Sequence, residues 1–230
     1  MSHDCVMVQP DASVWRVTNG VFPSNCYIVP TGVDGQCVLV DPGLDGEAIE
    51  QAVASMGCTP VAVLCTHGHF DHAGSAARFH RLGCPVYLHD ADLKTLRSSN
   101  FLLMAFKVPA RIEVPPVEPV APRGFRVAVG GLQFTFHPAP GHTPGSCVIE
   151  CGRALFTGDT LYSRGVGLSK LPGEDPARLR ESLLALWERF PDDAVVHPGH
   201  GDSAPFGWIK SHNAALRRFL ERQAHALQQP

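Results

Sequence analysis

At 230 residues, 44% hydrophobic and 18% charged, the chain is long enough for one large domain with a substantial core and too apolar for disorder. A net charge of -3 and the lack of any lysine or arginine run argue against a nucleic-acid surface or an anionic-membrane anchor. No apolar run reaches membrane-spanning length, Met1-Ser2-His3-Asp4-Cys5 lacks the features of a secretion signal, and the eight cysteines are scattered without a CxxC pair, so a reduced, cytoplasmic protein is expected.

Residues 14–18, 26–29 and 37–40 are β-branched and apolar, with Gly20, Pro23, Gly32 and Asp34-Gly35 between them, and read as a β-meander. The third ends in Asp41-Pro42-Gly43. From Asp45 a helical pattern through Ala48, Ile49, Ala52, Val53 and Met56 runs to Gly57. Residues 61–65 form a short buried strand, and a helix is expected from Ala73 to about Leu82-Gly83. The loop between them, Thr66-His67-Gly68-His69-Phe70-Asp71-His72, packs three imidazoles and a carboxylate into six residues from His67 to His72. Imidazole and carboxylate are the usual ligands of zinc and of non-haem iron or manganese. In a loop His67 and His69 can converge on one ion while Asp71 and His72 turn toward a second. Chance clustering on a solvated loop accounts poorly for so many polar groups at a strand end.

A strand at 85–89 follows, and Asp90 is placed to cap a helix through Arg97. Residues 98–123 leave the pattern: Phe101, Leu102, Leu103, Met104 and Phe106 precede a proline-rich run. This stretch reads either as a lid or substrate-facing insertion, or as a connector whose apolar residues cover the core. Strands resume at 125–129 and 132–137 around Gly130-Gly131, and a tight loop carries His142. Strands at 147–151 and 154–157 lead to Gly158-Asp159-Thr160. Pro176 opens an amphipathic helix with Leu179, Leu183, Leu184, Leu186 and Trp187 on its apolar face. A last strand at 195–196 delivers His197-Pro198-Gly199-His200-Gly201, and one final helix carries Trp208, Ile209, Ala215, Leu216, Phe219 and Leu220. Two sets of strands, each with helices after it, suit two facing sheets with helices outside.

Taken in order, Ser24-Asn25-Cys26-Tyr27, Val40-Asp41-Pro42-Gly43, the His67 to His72 loop, Pro140-Gly141-His142-Thr143-Pro144-Gly145-Ser146, Thr157-Gly158-Asp159-Thr160-Leu161 and Pro198-Gly199-His200-Gly201 form a specific set. By these motifs the chain resembles the metallo-β-lactamase superfamily, and within it the glyoxalase II-like hydrolases. The resemblance implies an α/β (α+β) fold, an αββα sandwich with its metal site at one edge of the two sheets, in a single domain over 1–230. It implies two divalent metal ions, zinc foremost with iron or manganese as alternatives. His67, His69 and His142 match the ligands of the first, Asp71, His72 and His200 those of the second, and Asp159 the bridging carboxylate. Two such ions need an anionic bridge to offset their repulsion.

The activity implied is hydrolysis of a thioester or ester by a metal-bridging hydroxide, with a small molecule as substrate and a homodimer as one option for assembly. Asp71 is placed to orient the attacking water or shuttle its proton. Asp41 reads either as an acceptor for a ligand histidine N–H or as a turn former before Pro-Gly. Tyr162 is a candidate donor to a substrate carbonyl, or a core residue. His137 and His197 are candidates for a place behind the ligands, whereas His3, His80, His89, His212 and His225 lack ligand context.

Three departures argue against glutathione as part of the substrate. In Arg164-Gly165-Val166-Gly167-Leu168 an apolar residue fills the basic slot of these enzymes, leaving Arg164 or Lys170 as substitutes. Gly201-Asp202-Ser203 replaces a tyrosine expected after the last ligand, and little chain remains for the longer helical extension of such enzymes. The rival readings are a lactonase, an iron persulfide dioxygenase using His67, His142 and Asp159, and a non-catalytic metal-binding module.

Overall fold

Alternation along the strands sets the layers. In β3 (Asn25–Pro30), Tyr27 and Val29 point into one cluster while Cys26 and Ile28 point into another. β5 (Thr59–Leu64) divides in the same way, Ala62 and Leu64 against Val63. Strands buried on both faces need cover on both, which two packed sheets with outer helices provide.

A computed structural model, which describes residues 5–9, 13–20 and 22–226, has that arrangement. The first sheet runs in sequence order through β1 (Cys5–Gln9), β2 (Val14–Thr18), β3, β4 (Gln36–Val40), β5, β6 (Val86–His89) and β7 (Glu118–Val120). It is antiparallel as far as β4 and parallel from there to β7. The second sheet is ordered β13 (Ala204–Pro205), β12 (Val195–Pro198), β11 (Ala154–Gly158), β10 (Cys147–Cys151), β9 (Leu132–Pro138), β8 (Phe125–Val129), with only β11 and β12 parallel. Between the sheets Tyr27, Val40 and Leu64 meet Phe134, Ile149 and Phe156.

Outside the first sheet lie α1 (Gly46–Ser55), α2 (Phe70–Ala73), α3 (Ala76–Arg81) and α4 (Leu93–Ala105), which bury Ile49, Phe70, Phe79, Leu96 and Leu103. Outside the second lie α5 (Pro176–Arg189), α6 (Phe206–His212) and α7 (Ala214–Ala226), with Leu179, Leu183, Ile209 and Leu216 inward. Asp45 caps α1 by accepting from the Ala48 amide, and Asp175 caps α5 through the amides of Ala177 and Arg178. No helix among the described residues is long and apolar enough to cross a membrane.

Several elements depart from the sequence reading. The strands β1, β7 and β13 were not expected; β7 carries Pro119 and sits at a sheet edge, where a missing N–H is tolerated. Asp71 and His72 lie on the helical turn α2 rather than on an open loop, and the expected helix from Ala73 starts only at Ala76. Gly74 lies between the two, at a point where a Cβ would come within 2.3 Å of the Phe70 carbonyl oxygen and 2.8 Å of that of Gly43. The helix expected to end at Arg97 continues to Ala105, preceded by a tight turn at Asp90–Asp92, so Asp92 and not Asp90 holds its cap position. Within 98–123, Ser99, Leu103, Ile112 and Val120 are buried, whereas Phe101, Met104 and Phe106 are exposed.

Leu184, placed on the buried face of α5 from its spacing, is exposed. The single final helix is broken at Asn213, whose side chain accepts from the amides of Leu216 and Gly165 and donates to the carbonyls of Tyr162 and Gly165. His3 and the side chain of His225 lie outside the described residues.

Leu183, 1% exposed in the cluster beneath α5, provides a test of this layer. Replacing it with Ala should cost about 2–5 kcal/mol through lost burial and a cavity. Urea unfolding of the two proteins measures the difference.

Candidate metal centre

The loops that carry the candidate ligands and Asp41 follow the carboxyl ends of strands, and those ends gather on one edge of the sandwich. β4 leads to Asp41, β5 to His67, β9 to His142, β11 to Asp159 and β12 to His200. Backbone bonds stitch the edges of the two sheets together: the Cys147 amide donates to the Thr66 carbonyl and the Asn25 amide to the Gly199 carbonyl, both at 2.8 Å. Gly199 has to be glycine for this approach, since a Cβ would lie 2.3 Å from Asp159 Oδ1 and from His72 Cε1.

The geometry brings His67, His69, Asp71, His72, His142, Asp159 and His200 together. Their ligand atoms form three overlapping groups: His67, His69 and His142; His67, His72 and Asp159; and Asp71, His72 and His200. His67 Nε2 and His142 Nε2 lie 3.1 and 3.0 Å from Nδ1 of His69. Behind them, His142 Nδ1 faces the Gly167 carbonyl at 3.0 Å and His67 Nδ1 faces the Thr66 hydroxyl at 3.1 Å. A carbonyl only accepts, so His142 carries its proton on Nδ1. The Thr66 hydroxyl spends its hydrogen on Asp41 Oδ2 at 2.7 Å, which places the His67 proton on Nδ1 as well. Two bare lone pairs therefore point at a nitrogen that can offer one proton. A cation resolves the conflict.

On the other side, His72 Nδ1 donates to Asp41 Oδ2 at 2.9 Å and His200 Nδ1 to the Pro23 carbonyl at 2.5 Å. Their Nε2 atoms face carboxylates, His72 at 3.2 Å from Asp159 Oδ1 and His200 at 3.3 Å from Asp71 Oδ2 and 3.4 Å from Asp159 Oδ2. Asp159 also reaches His142 Nε2, at 3.4 Å, so its two oxygens address both groups. His72 Nε2 and Asp159 Oδ1 are buried and make no hydrogen bond among the described residues. Such orphaned atoms in a nitrogen and oxygen donor set fit a divalent metal ion.

Burial holds His67 and His69 below the ordinary histidine value, His69 at about 4. Burial also opposes charge on His72 and His200, but Asp159 and Asp71 outweigh it, holding His72 well above its usual value and pushing His200 up to about 10. In turn His72 and His200 hold both carboxyls low against the opposing effect of burial.

Asp41 sits at φ 54 and receives the Thr66 amide and hydroxyl as well as the His72 N–H, which fixes one ligand's ring and the start of the histidine loop. Tyr162 lies close enough to Asp159 to feel its charge and sets its ring edge against His200, centroids 6.0 Å apart. Arg164 rests its guanidinium over the Trp208 ring, and Lys170 is exposed at φ 60 with its amide bound by Glu174. His137 and His197 stand elsewhere: the first pairs with Glu150, and the second is held between Ser203 and Gln9. The sequence reading assigned no role to Asn25, whose side-chain amide donates to the carbonyls of Pro198 and Gly201 on either side of His200. Its signals were its place in the Ser24-Asn25-Cys26-Tyr27 motif and a polar residue opening an apolar strand.

The profile of the metallo-beta-lactamase superfamily matches residues 19–200. The hydroxyacylglutathione hydrolase of Anaeromyxobacter dehalogenans (strain 2CP-C) is 40% identical over 180 residues, which cover 78% of this chain and 62% of that relative. The chain thus spans less than two thirds of that relative's length. Among solved structures, TTHA1623 in a di-iron-bound form has a TM-score of 0.77 at 35% identity, covering 86% of this chain and 98% of that one. The BLEG-1 B3 metallo-beta-lactamase has a TM-score of 0.75 at 27% identity, covering 87% and 98%.

Metal ions bind the neutral form of imidazole, not the imidazolium. Zinc binding through His67 and His69 should therefore release no proton from either at pH 7, whereas binding through His72 and His200 should displace protons and tighten as pH rises toward about 10. Calorimetric titration in buffers of different ionisation enthalpy reads the released protons. Two equivalents that both bind without proton release would contradict the charge assignment.

Proposed function

Because the chain belongs to the metallo-beta-lactamase superfamily, we propose that its convergent histidines and carboxylates serve a metal-dependent hydrolase acting on a thioester or ester with an apolar acyl part. The observation that carries this reading is the facing of bare imidazole nitrogens and orphaned carboxylate oxygen described above. In this reading His67, His69 and His142 hold one ion, Asp71, His72 and His200 hold another, Asp159 is shared, and zinc is the first choice of metal. Divalent ions bound there supply Lewis acidity, polarising a carbonyl and making water acidic enough to be a nucleophile near neutral pH.

The chain's own residues supply the rest. Asp71 Oδ2, between His72 and His200, orients the attacking water and accepts its proton. Tyr162, held beside Asp159, donates to the substrate carbonyl. Asp41 keeps the His72 ring turned to the site. Substrate enters on the His200 side, the most exposed histidine of the ligand set, with a side chain 30% accessible against 1% for His142. Segment 98–123 faces substrate: Phe106 packs with Phe22 and Phe70, whose ring follows His69 in sequence, and Met104 and Phe101 extend the apolar surface.

The thioester choice draws on the hydroxyacylglutathione hydrolase relative. The glutathione moiety itself is disfavoured, because Leu168 fills the basic slot and Arg164 is occupied by Trp208. All eight cysteines are free thiols.

Metal analysis should find close to two ions per chain, and Asp159→Ala should lose at least one of them. Chelation should abolish hydrolysis of an acyl thioester, and Asp71→Asn should lower kcat by about 10²–10⁴-fold. A single iron per chain, with oxygen uptake on glutathione persulfide, would overturn the hydrolase reading.

A further inference from the structure

Asp92 occupies the cap position of α4 and is fully buried, yet its side chain makes no capping bond to its own helix. Its carboxylate is engaged elsewhere. Oδ2 accepts the Gly68 amide at 2.8 Å and the Thr143 hydroxyl at 2.7 Å, while Oδ1 accepts the Gly145 amide at 2.7 Å. Gly68 lies between His67 and His69, and Thr143 follows His142. One carboxylate thus fastens the two loops that carry the three-histidine group.

The contact is close on both sides: a Cβ on Gly68 would lie 2.6 Å from the Asp92 carbonyl oxygen, and one on Gly145 would lie 2.7 Å from Asp92 Oδ1. Farther along the helix, Ser99 Oγ donates to the Gly68 carbonyl at 3.3 Å, so both backbone groups of Gly68 are held by α4. Asp71 and His200 are held separately, through Ser24 bonding the Asp71 carbonyl, Asn25 bonding the His200 loop, and Pro23 bonding the His200 ring.

We propose that Asp92 is a positioning residue specific to the His67, His69 and His142 group, setting its three nitrogens at binding distance while leaving the Asp71, His72 and His200 group to other supports. The proposal rests on the two-ion reading above. An ionised carboxylate is suited to the task because the Gly68 and Gly145 amides and the Thr143 hydroxyl converge on it, with the Thr95 hydroxyl farther off at 3.5 Å, and it has acceptor sites for all of them. An asparagine offers one oxygen and turns two hydrogens toward a donor, so one loop must move away.

The test is competition of bound cobalt(II) against a chelator, followed through the visible spectrum, in the wild-type protein and in Asp92→Asn. One of the two equivalents should bind about 10–100-fold more weakly, with a changed spectrum, while the other keeps its affinity. A general loss of structure would weaken both alike, and that outcome, or unchanged affinity for both, overturns the proposal. If Asp92→Asn does not fold, Thr143→Val removes one donor and should weaken the same single equivalent by a smaller factor. Equal weakening of both equivalents, or of neither, overturns the proposal there too. Failure of the underlying two-ion reading would look different, as a wild-type chain that takes up fewer than two ions.

Discussion

The structure depends on a shortage of protons at one point. Two imidazole nitrogens that carry none face a third nitrogen that can offer one, in a pocket where His67 and His142 are each 1% exposed. Buried lone pairs without donors are costly, and water cannot reach them freely. The fold must therefore force these groups together and hold them until a cation completes the set. Four of the rings are accordingly fixed from behind by a bond that dictates the tautomer: Gly167 for His142, Thr66 for His67, Asp41 for His72 and Pro23 for His200. Asp41 links two of these supports, because the hydroxyl that accepts from His67 donates to the carboxylate that accepts from His72.

The sandwich supplies the rigidity that such a demand requires. Strands buried on both faces, such as β3 and β5, cannot shift register without disturbing close packing in two layers at once. Ligand loops that leave the ends of those strands inherit their precision, and backbone bonds between the two sheets fix the distance between loops from opposite layers. Glycine at 199 allows the His200 loop to close against Asp159 and His72, where any side chain would collide.

This division explains what was legible in the sequence. The short apolar strands and the amphipathic α5 were visible because burial marks neighbouring residues; two sets of strands each followed by helices suggested two facing sheets, and the family resemblance supplied the αββα sandwich. The histidine and aspartate motifs were visible because each is local. What escaped was non-local or irregular. The bond from Asp92 to Gly145 spans 53 positions and that from Asp41 to Thr66 spans 25, and no period relates such partners. The edge strands β7 and β13 are too short to alternate, and each contains a proline. The break between α6 and α7 was missed because the apolar spacing runs on across Asn213, where only the side-chain bonds reveal a cap.

That break has a place in the chemistry of the site. Asn213 accepts from Leu216 to start α7 and, with the same side chain, holds the backbone of Tyr162 and Gly165. Tyr162 in turn packs against His200, the ligand-set histidine most open to solvent. An uninterrupted helix would turn the Asn213 amide into one more surface side chain and leave the Tyr162 segment without its anchor. The irregularity that defeats the helical pattern thus ties the outer layer of the sandwich to the open side of the metal centre. Changes in the helices beyond Phe206 can reach the open side of the centre through that tie, while the closed three-histidine side is held by α4 together with Thr66, Asp41 and Gly167.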